Sequence, residues 1–235
     1  RQMCIRDRRI RHPNVVGFIE AGTEAKGGRQ FIAYEYVDGG SLLDVLSAKG
    51  TLGEKEALGV TRGIALALGV ADAQSIVHRD VKPENILLDR ETGRAMLTDF
   101  GVARALENSG NMTGTGMILG SPRYMSPEQA TGESTLDGRS DLYALALVGY
   151  EMFTGKPVVD SGNVAGMLVK HLTETPKPLA EAAARVPEGA AVAIDRALAK
   201  DRAQRWATGR EMAEVIASSW TPTPGSGATR ALGTM

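Results

Sequence analysis

Apolar residues at Ala57, Val60, Ile64, Leu68 and Ala71 recur at steps of three and four, which puts them on one face of a predicted amphipathic helix. Thr51 and Glu54 stand three apart just ahead of that run and predict a capping box at its start. Gly59, Gly63 and Gly69 each cost about 1 kcal/mol relative to Ala in a helix, so burial against a larger body has to hold this one. A second pattern, Leu142, Tyr143, Leu145, Leu147, Val148, Tyr150 and Met152, covers nearly every helical face and predicts a helix buried all round, capped by Ser140 and running through Phe153. Ser41 predicts the cap of a short helix through about Ala48, and three shorter helices are expected over 163–172, 189–200 and 209–219. Strand-like text is sparser. Phe31 to Val37 is rich in aromatic and β-branched residues and ends at Asp38-Gly39-Gly40, read as a turn, while Gly27-Gly28 reads as a hairpin loop between two strands. Ile86–Leu88 and Ala95–Thr98 flank a polar turn over 89–94 and predict a second hairpin. From Ser218 onward Pro, Thr, Gly and Ser predominate, the composition of a disordered tail or linker.

A length of 235 residues with 43% apolar composition suffices for one large domain or two lobes sharing a core. The formal charge of -1 argues against a nucleic-acid binder, and the longest apolar run, Tyr143–Tyr150, is far short of a membrane span. A single cysteine, Cys4, forms no internal disulfide and fits a reducing compartment. We therefore expect a cytoplasmic location for this part, within a longer protein that allows a membrane anchor. Residues 1–11 begin without Met and are crowded with Arg, as if the chain started inside that longer protein, and residues 3–8 read as foreign to the segment from Arg11 onward.

The chemistry concentrates in His78-Arg79-Asp80-Val81-Lys82-Pro83-Glu84-Asn85. A carboxylate at Asp80 can take a proton from a hydroxyl, an ammonium at Lys82 can hold a phosphate, and the Asn85 oxygen can bind a hard cation. Packing alone asks for no such order. Asp99-Phe100-Gly101 comes next, and then Ser126-Pro127-Glu128, which reduces the weight of chance for the first cluster. Asn85 and Asp99 lie at the two ends of the predicted hairpin, so that two oxygen ligands on neighbouring loops are positioned for Mg²⁺.

These three stretches, in this order, resemble the catalytic loop, metal loop and activation-segment end of the protein-kinase family, and Lys82 places the resemblance in the serine/threonine branch, bacterial in type. It covers about residues 11–217. It implies an α+β, two-lobed fold, mostly the helical large lobe (38–217) with part of the small lobe's sheet (1–37), followed by the tail over 218–235. The implied activity is transfer of the ATP γ-phosphate to Ser or Thr hydroxyls of a protein substrate, with ATP and Mg²⁺ as cofactors, and a dimer of the longer protein is compatible with it. By resemblance Asp80 orients the substrate hydroxyl and accepts its proton, Lys82 neutralises the moving phosphoryl group, and Asn85 and Asp99 hold Mg²⁺. Ser121 stands where the family usually has Thr and keeps a hydroxyl able to bridge Asp80 and Lys82. Tyr34 falls at the gatekeeper position, Glu35 and Val37 offer backbone groups to adenine, and Leu87 packs beneath the base.

The same resemblance assigns structural roles. His78 and Phe100 stack with Phe18, Glu128 pairs with Arg205, and the Asp141 carboxylate fixes the backbone of the loop around His78. Arg79 is placed to pair with a phosphorylated side chain, and Thr113 and Thr115 are the expected phosphosites of the loop between Asp99 and Glu128. Departures from the family are local: Val81 for Leu, Ser126 for Ala, and Asp201-Arg202 for Asp-Pro. His171 reads as structural or solvated, on a polar face. A larger departure is the lack of a glycine-rich phosphate loop, a strand lysine and its helix glutamate anywhere in these residues. Two alternatives remain: a pseudokinase or scaffold that binds without transferring phosphate, and a small-molecule phosphotransferase, which would not require the Ser121–Glu128 stretch.

Overall fold

The computed structural model describes residues 10–24, 27–100 and 121–218. Two antiparallel sheets come from the strand-like text. β1 (Phe18–Thr23) pairs with β2 (Gln30–Tyr34) in a hairpin whose turn carries Gly27 and Gly28 at φ of 102° and 66°, a conformation glycine adopts without strain. The second sheet runs β3 (Gly39–Ser41), β4 (Ile86–Asp89), β5 (Ala95–Leu97), with Ile86 opposite Leu97. Strand β2 stops at Tyr34, short of the expected Val37. Gly39 and Gly40, expected as a turn, pair instead with Asp89 and Leu88. A side chain at Gly39 would collide with the Leu88 carbonyl, so glycine is what lets this strand come so close.

The helices are α1 (Leu42–Lys49), α2 (Glu54–Asp72), the one-turn α3 (Pro127–Ala130), α4 (Gly138–Thr154), α5 (Val164–Thr173), the one-turn α6 (Leu179–Ala182), α7 (Glu188–Ala197) and α8 (Gly209–Ser218). Ser41 caps α1 with a complete capping box, its hydroxyl accepting from the Asp44 amide at 3.1 Å. Two other expected caps are displaced. Thr51 lies outside α2 because the Leu52 amide donates to the Met152 carbonyl at 2.9 Å and holds that stretch extended against α4. The helix begins at Glu54, and Glu56 turns back to accept the Gly53 amide at 3.2 Å. Helix α4 begins at Gly138, capped by Asp137, whose carboxylate accepts the Arg139 amide at 3.0 Å; Ser140 is already inside.

The core follows the apolar spacing. Ala57, Val60, Ile64, Leu68 and Ala71 of α2 are all buried, and every residue of α4 from Ser140 to Phe153 is buried. Helices α4 and α8 both pack on α2. Gly209 permits the second contact, since a Cβ there would collide with the Ala65 carbonyl. The segment ahead of β1 is tied to β5: Asn14 donates its side-chain amide to the Ala95 carbonyl at 2.7 Å, and Val16 donates to the Leu97 carbonyl at 3.0 Å. Among the described residues no helix is long and apolar enough to cross a membrane.

Candidate active site

The loop over 76–85 leaves α2, crosses α4, and returns through a 3₁₀ turn (Pro83–Asn85) into β4. Its path is set by α4. The Asp141 carboxylate accepts the backbone amides of His78 and Arg79, both at 2.7 Å, which allows Arg79 to stand at φ 70°, a conformation rare for a residue with a side chain. Burial pushes the Asp141 carboxyl up to about 7 against the lowering effect of those two amides. His78 is fully enclosed, accepts the Asp80 amide on Nδ1 at 3.3 Å and meets the Thr98 carbonyl through Nε2 at 2.8 Å, so the proton sits on Nε2. Burial keeps its pKa below the ordinary value, despite the charges of Asp80 and Asp99 nearby. Its ring packs edge-on to Phe100 with centroids 4.7 Å apart, whereas Phe18 sets its ring edge-on to Tyr34 at 6.2 Å.

Asp80, Lys82, Asn85 and Ser121 meet within hydrogen-bond reach. The Lys82 ammonium lies 2.7 Å from Asp80 Oδ2 and donates to Ser121 Oγ at 3.1 Å. The Ser121 amide donates to Asp80 Oδ1 at 3.3 Å, so this serine joins the two charges through its hydroxyl on one side and its backbone on the other. Asn85 Nδ2 donates to the Asp80 carbonyl at 2.7 Å and to Oδ2 at 3.1 Å. With both its donors on Asp80, the carboxamide turns Oδ1 the other way. Asp99 begins beside it, because the Thr98 amide donates to the Asn85 carbonyl at 3.0 Å, and Asp99 itself stands at φ 65°. One amide oxygen and one carboxylate are hard donors suited to Mg²⁺. Among the described residues no three His, Cys, Asp or Glu side chains gather as a metal cage, so a cation here would complete its shell from water and phosphate.

Further out, Leu87 is half-buried on β4, opposite Ser41 and Met96. Glu35 is exposed and its amide donates to the Gly17 carbonyl at 2.7 Å, so of its backbone groups only the carbonyl remains to be offered to a base. Val37 is half-buried after the end of β2. Thr113, Thr115 and Gly101 lie outside the described residues.

The stretch after Ser121 is anchored at several points. Glu128 and Arg205 form a two-pronged ion pair at 2.7 and 2.8 Å, with side chains 4% and 0% exposed. Ser140 Oγ donates to the same Glu128 carboxylate at 2.6 Å, which is what this serine does in place of capping. Burial alone would raise the Glu128 pKa, but the Arg205 and Ser140 hydrogen bonds outweigh it and hold the carboxyl below its ordinary value. Ser126 is more than a departure from Ala: it caps α3, with Gln129 accepting the Ser126 amide at 3.0 Å. Gln129 then donates to the Arg79 carbonyl at 2.9 Å and joins this segment to the loop. The Ser-x-x-Gln spacing ahead of a short helix is the sequence signal for this cap, and the contact with Arg79 has none. Tyr124 donates to the Glu151 carboxylate at 2.7 Å. His171 is neither solvated nor on a polar face: it is completely buried beneath this stretch.

Comparison with known proteins gives the family and the fold. The protein-family profile described as "Protein kinase domain" matches residues 5–221. The chain is 36% identical over 210 residues to the probable serine/threonine-protein kinase PknB of Bifidobacterium longum, covering 86% of this chain and 30% of that protein. It is 38% identical over 205 residues to the serine/threonine-protein kinase pkn3 of Myxococcus xanthus, covering 84% and 37%. The chain thus spans about a third of the length of the curated relatives it matches. Among solved structures, the kinase domain of Mycobacterium tuberculosis PknI superimposes with a TM-score of 0.70 at 27% identity, over 92% of this chain and 76% of that one. The fold is protein-kinase-like, and the chain belongs to the protein kinase family.

Proposed function

We propose that these residues carry the phosphoryl-transfer centre of a serine/threonine protein kinase that moves the ATP γ-phosphate to protein hydroxyls. The observation that carries this reading is the joining of Asp80, Lys82, Asn85 and Ser121, with Asp99 alongside. Asp80 would orient the substrate Ser or Thr hydroxyl and take its proton, and Lys82 would neutralise charge on the transferred group. Mg²⁺, held by Asn85 and Asp99 when bound, supplies charge neutralisation on the nucleotide phosphates. Ser121 keeps Asp80 and Lys82 in register, and Asp141 holds the loop backbone that carries both. Glu35, Val37 and Leu87 are the adenine contacts of this reading, and Thr113 and Thr115 its activating phosphosites. Its catalytic power is positioning and electrostatics, applied to groups already aligned.

The sequence contains no glycine-rich phosphate loop or strand lysine. We therefore expect efficient turnover only when these residues are joined to both. The test is an assay with Mg-ATP and a generic protein substrate, run on the 235-residue chain and on the same chain joined to a small-lobe segment carrying those parts. Phosphate transfer to Ser or Thr by the joined form alone is the expected result. Robust transfer by the unextended chain would overturn the account of the missing parts, and no transfer by either form would favour a binding scaffold.

A further inference from the structure

Helix α5 is attached to the body of the protein in an unusual way. His171 is its one fully buried residue, whereas Val164, Val169 and Leu172 are 42%, 56% and 41% exposed. The buried imidazole points at the turn that follows Ser121. Its Nε2 meets the Pro122 carbonyl at 2.7 Å, and its Nδ1 faces the Tyr143 hydroxyl at 3.4 Å. A carbonyl only accepts, so the proton is on Nε2 and the ring is neutral, with Nδ1 free to accept from Tyr143. Burial works in the same direction, holding the His171 pKa below its ordinary value.

Tyr143 stands at the centre of a longer connection. Lys200 donates to its hydroxyl at 3.2 Å, and the Arg205 guanidinium lies 4.8 Å from its ring centroid while gripping Glu128. The segment from Ser121 to Glu128 is therefore held at both ends from one tyrosine of α4, through Arg205 at Glu128 and through His171 at Pro122. Pro122 is adjacent to Ser121, which touches both Lys82 and Asp80.

We propose that His171 is a positioning residue for protein-substrate docking: its Nε2–H fixes the Pro122 carbonyl and thereby the Ser121–Tyr124 turn, part of the stretch that resembles the substrate-docking end of the kinase activation segment. The proposal rests on the kinase reading for the word docking, but the contact itself can be measured without any transfer of phosphate. His171 takes no part in the chemistry and acts through Pro122 and Ser121.

Two substitutions separate reach from burial. Glutamine places a donor where Nε2 stands, whereas asparagine places one only as far as Nδ1, and both are small enough for the space. Amide hydrogen exchange of the unextended chain reads the turn through the Tyr124 amide, which donates to the Ser121 carbonyl at 2.9 Å. In His171→Asn, exchange at Tyr124 should quicken about tenfold, the effect of one lost hydrogen bond, while the amides of α4 keep their protection. In His171→Gln it should stay close to the parent rate. Equal rates in the two variants, or faster exchange spread evenly through α4, would overturn the proposal.

In the joined, active form, His171→Asn should raise KM for protein substrate several-fold and leave the KM for Mg-ATP in place. A fall in kcat with KM unchanged would overturn it. Absence of transfer in every form, with the exchange contrast intact, would count against the kinase reading and leave the contact standing.

Discussion

All five N–H groups of Arg205 have acceptors: two on Glu128, and one each on the carbonyls of Ala199, Arg139 and Lys200. A guanidinium this saturated is held in place by geometry, and its loss would strand the Glu128 carboxylate in the interior. Arg205→Met should therefore lower unfolding stability by about 3–5 kcal/mol, read from denaturant titration. His78 supplies a pH test. Its folded pKa lies below its unfolded value, so its contribution is fully present above about pH 6.5 and is lost as the pH falls below it, by at most about 1.4 kcal/mol per pH unit. Asp141, raised to about 7, has the opposite sign: the folded state binds its proton first, so acidification from about 7 toward about 4 favours folding. The stability difference between the parent and His78→Gln should thus shift against the parent between about pH 7.5 and about pH 5.5. A difference that stays constant with pH would contradict the burial of a neutral imidazole.

Glycines that look alike in the sequence part company once the elements pack. Gly59 sits in α2 with open space where a Cβ would be, and Gly209 opens α8 against the Ala65 carbonyl. Gly59→Ala should stabilise by about 0.5–1 kcal/mol through the chain entropy it removes, and Gly209→Ala should destabilise by about 1–3 kcal/mol by forcing α8 off α2. Thermal unfolding of the two variants compares them directly. The elements themselves were legible where local pattern and burial coincide: the apolar face of α2, the all-round burial of α4, and the β4–β5 hairpin were each expected and found. Helix starts were less legible, because long-range contacts decide them. Leu52 is held by Met152, and Ser140 is drawn to Glu128. The strand at Gly39–Ser41 hid behind its glycines for a like reason, since the Leu88 backbone that it approaches lies far along the chain.

At the scale of the molecule, the described residues form a helical body around α4 with two small sheets, and α4 supplies both the carboxylate beneath the His78–Asp80 loop and the tyrosine beneath the Ser121–Glu128 segment. The residues proposed to bear chemistry stand out in the sequence because phosphoryl transfer asks for particular side chains at particular spacings, and the structure brings Asp80, Lys82, Asn85 and Ser121 together. The contacts of Gln129 with Arg79 and of His171 with Pro122 do not, because a polar side chain's partner across the fold leaves no periodic mark. Everything proposed for the site depends on Asp80 acting on the substrate hydroxyl at a centre assembled with Lys82, Asn85 and Asp99. That dependence is probed by the initial rate of phosphate transfer to a Ser/Thr substrate by the joined form, parent beside Asp80→Asn, with Mg-ATP affinity measured on the same samples. The expected rate is lower by about 10²–10⁴-fold with nucleotide affinity nearly unchanged. Transfer by Asp80→Asn at the parent's rate would refute the role assigned to this carboxylate.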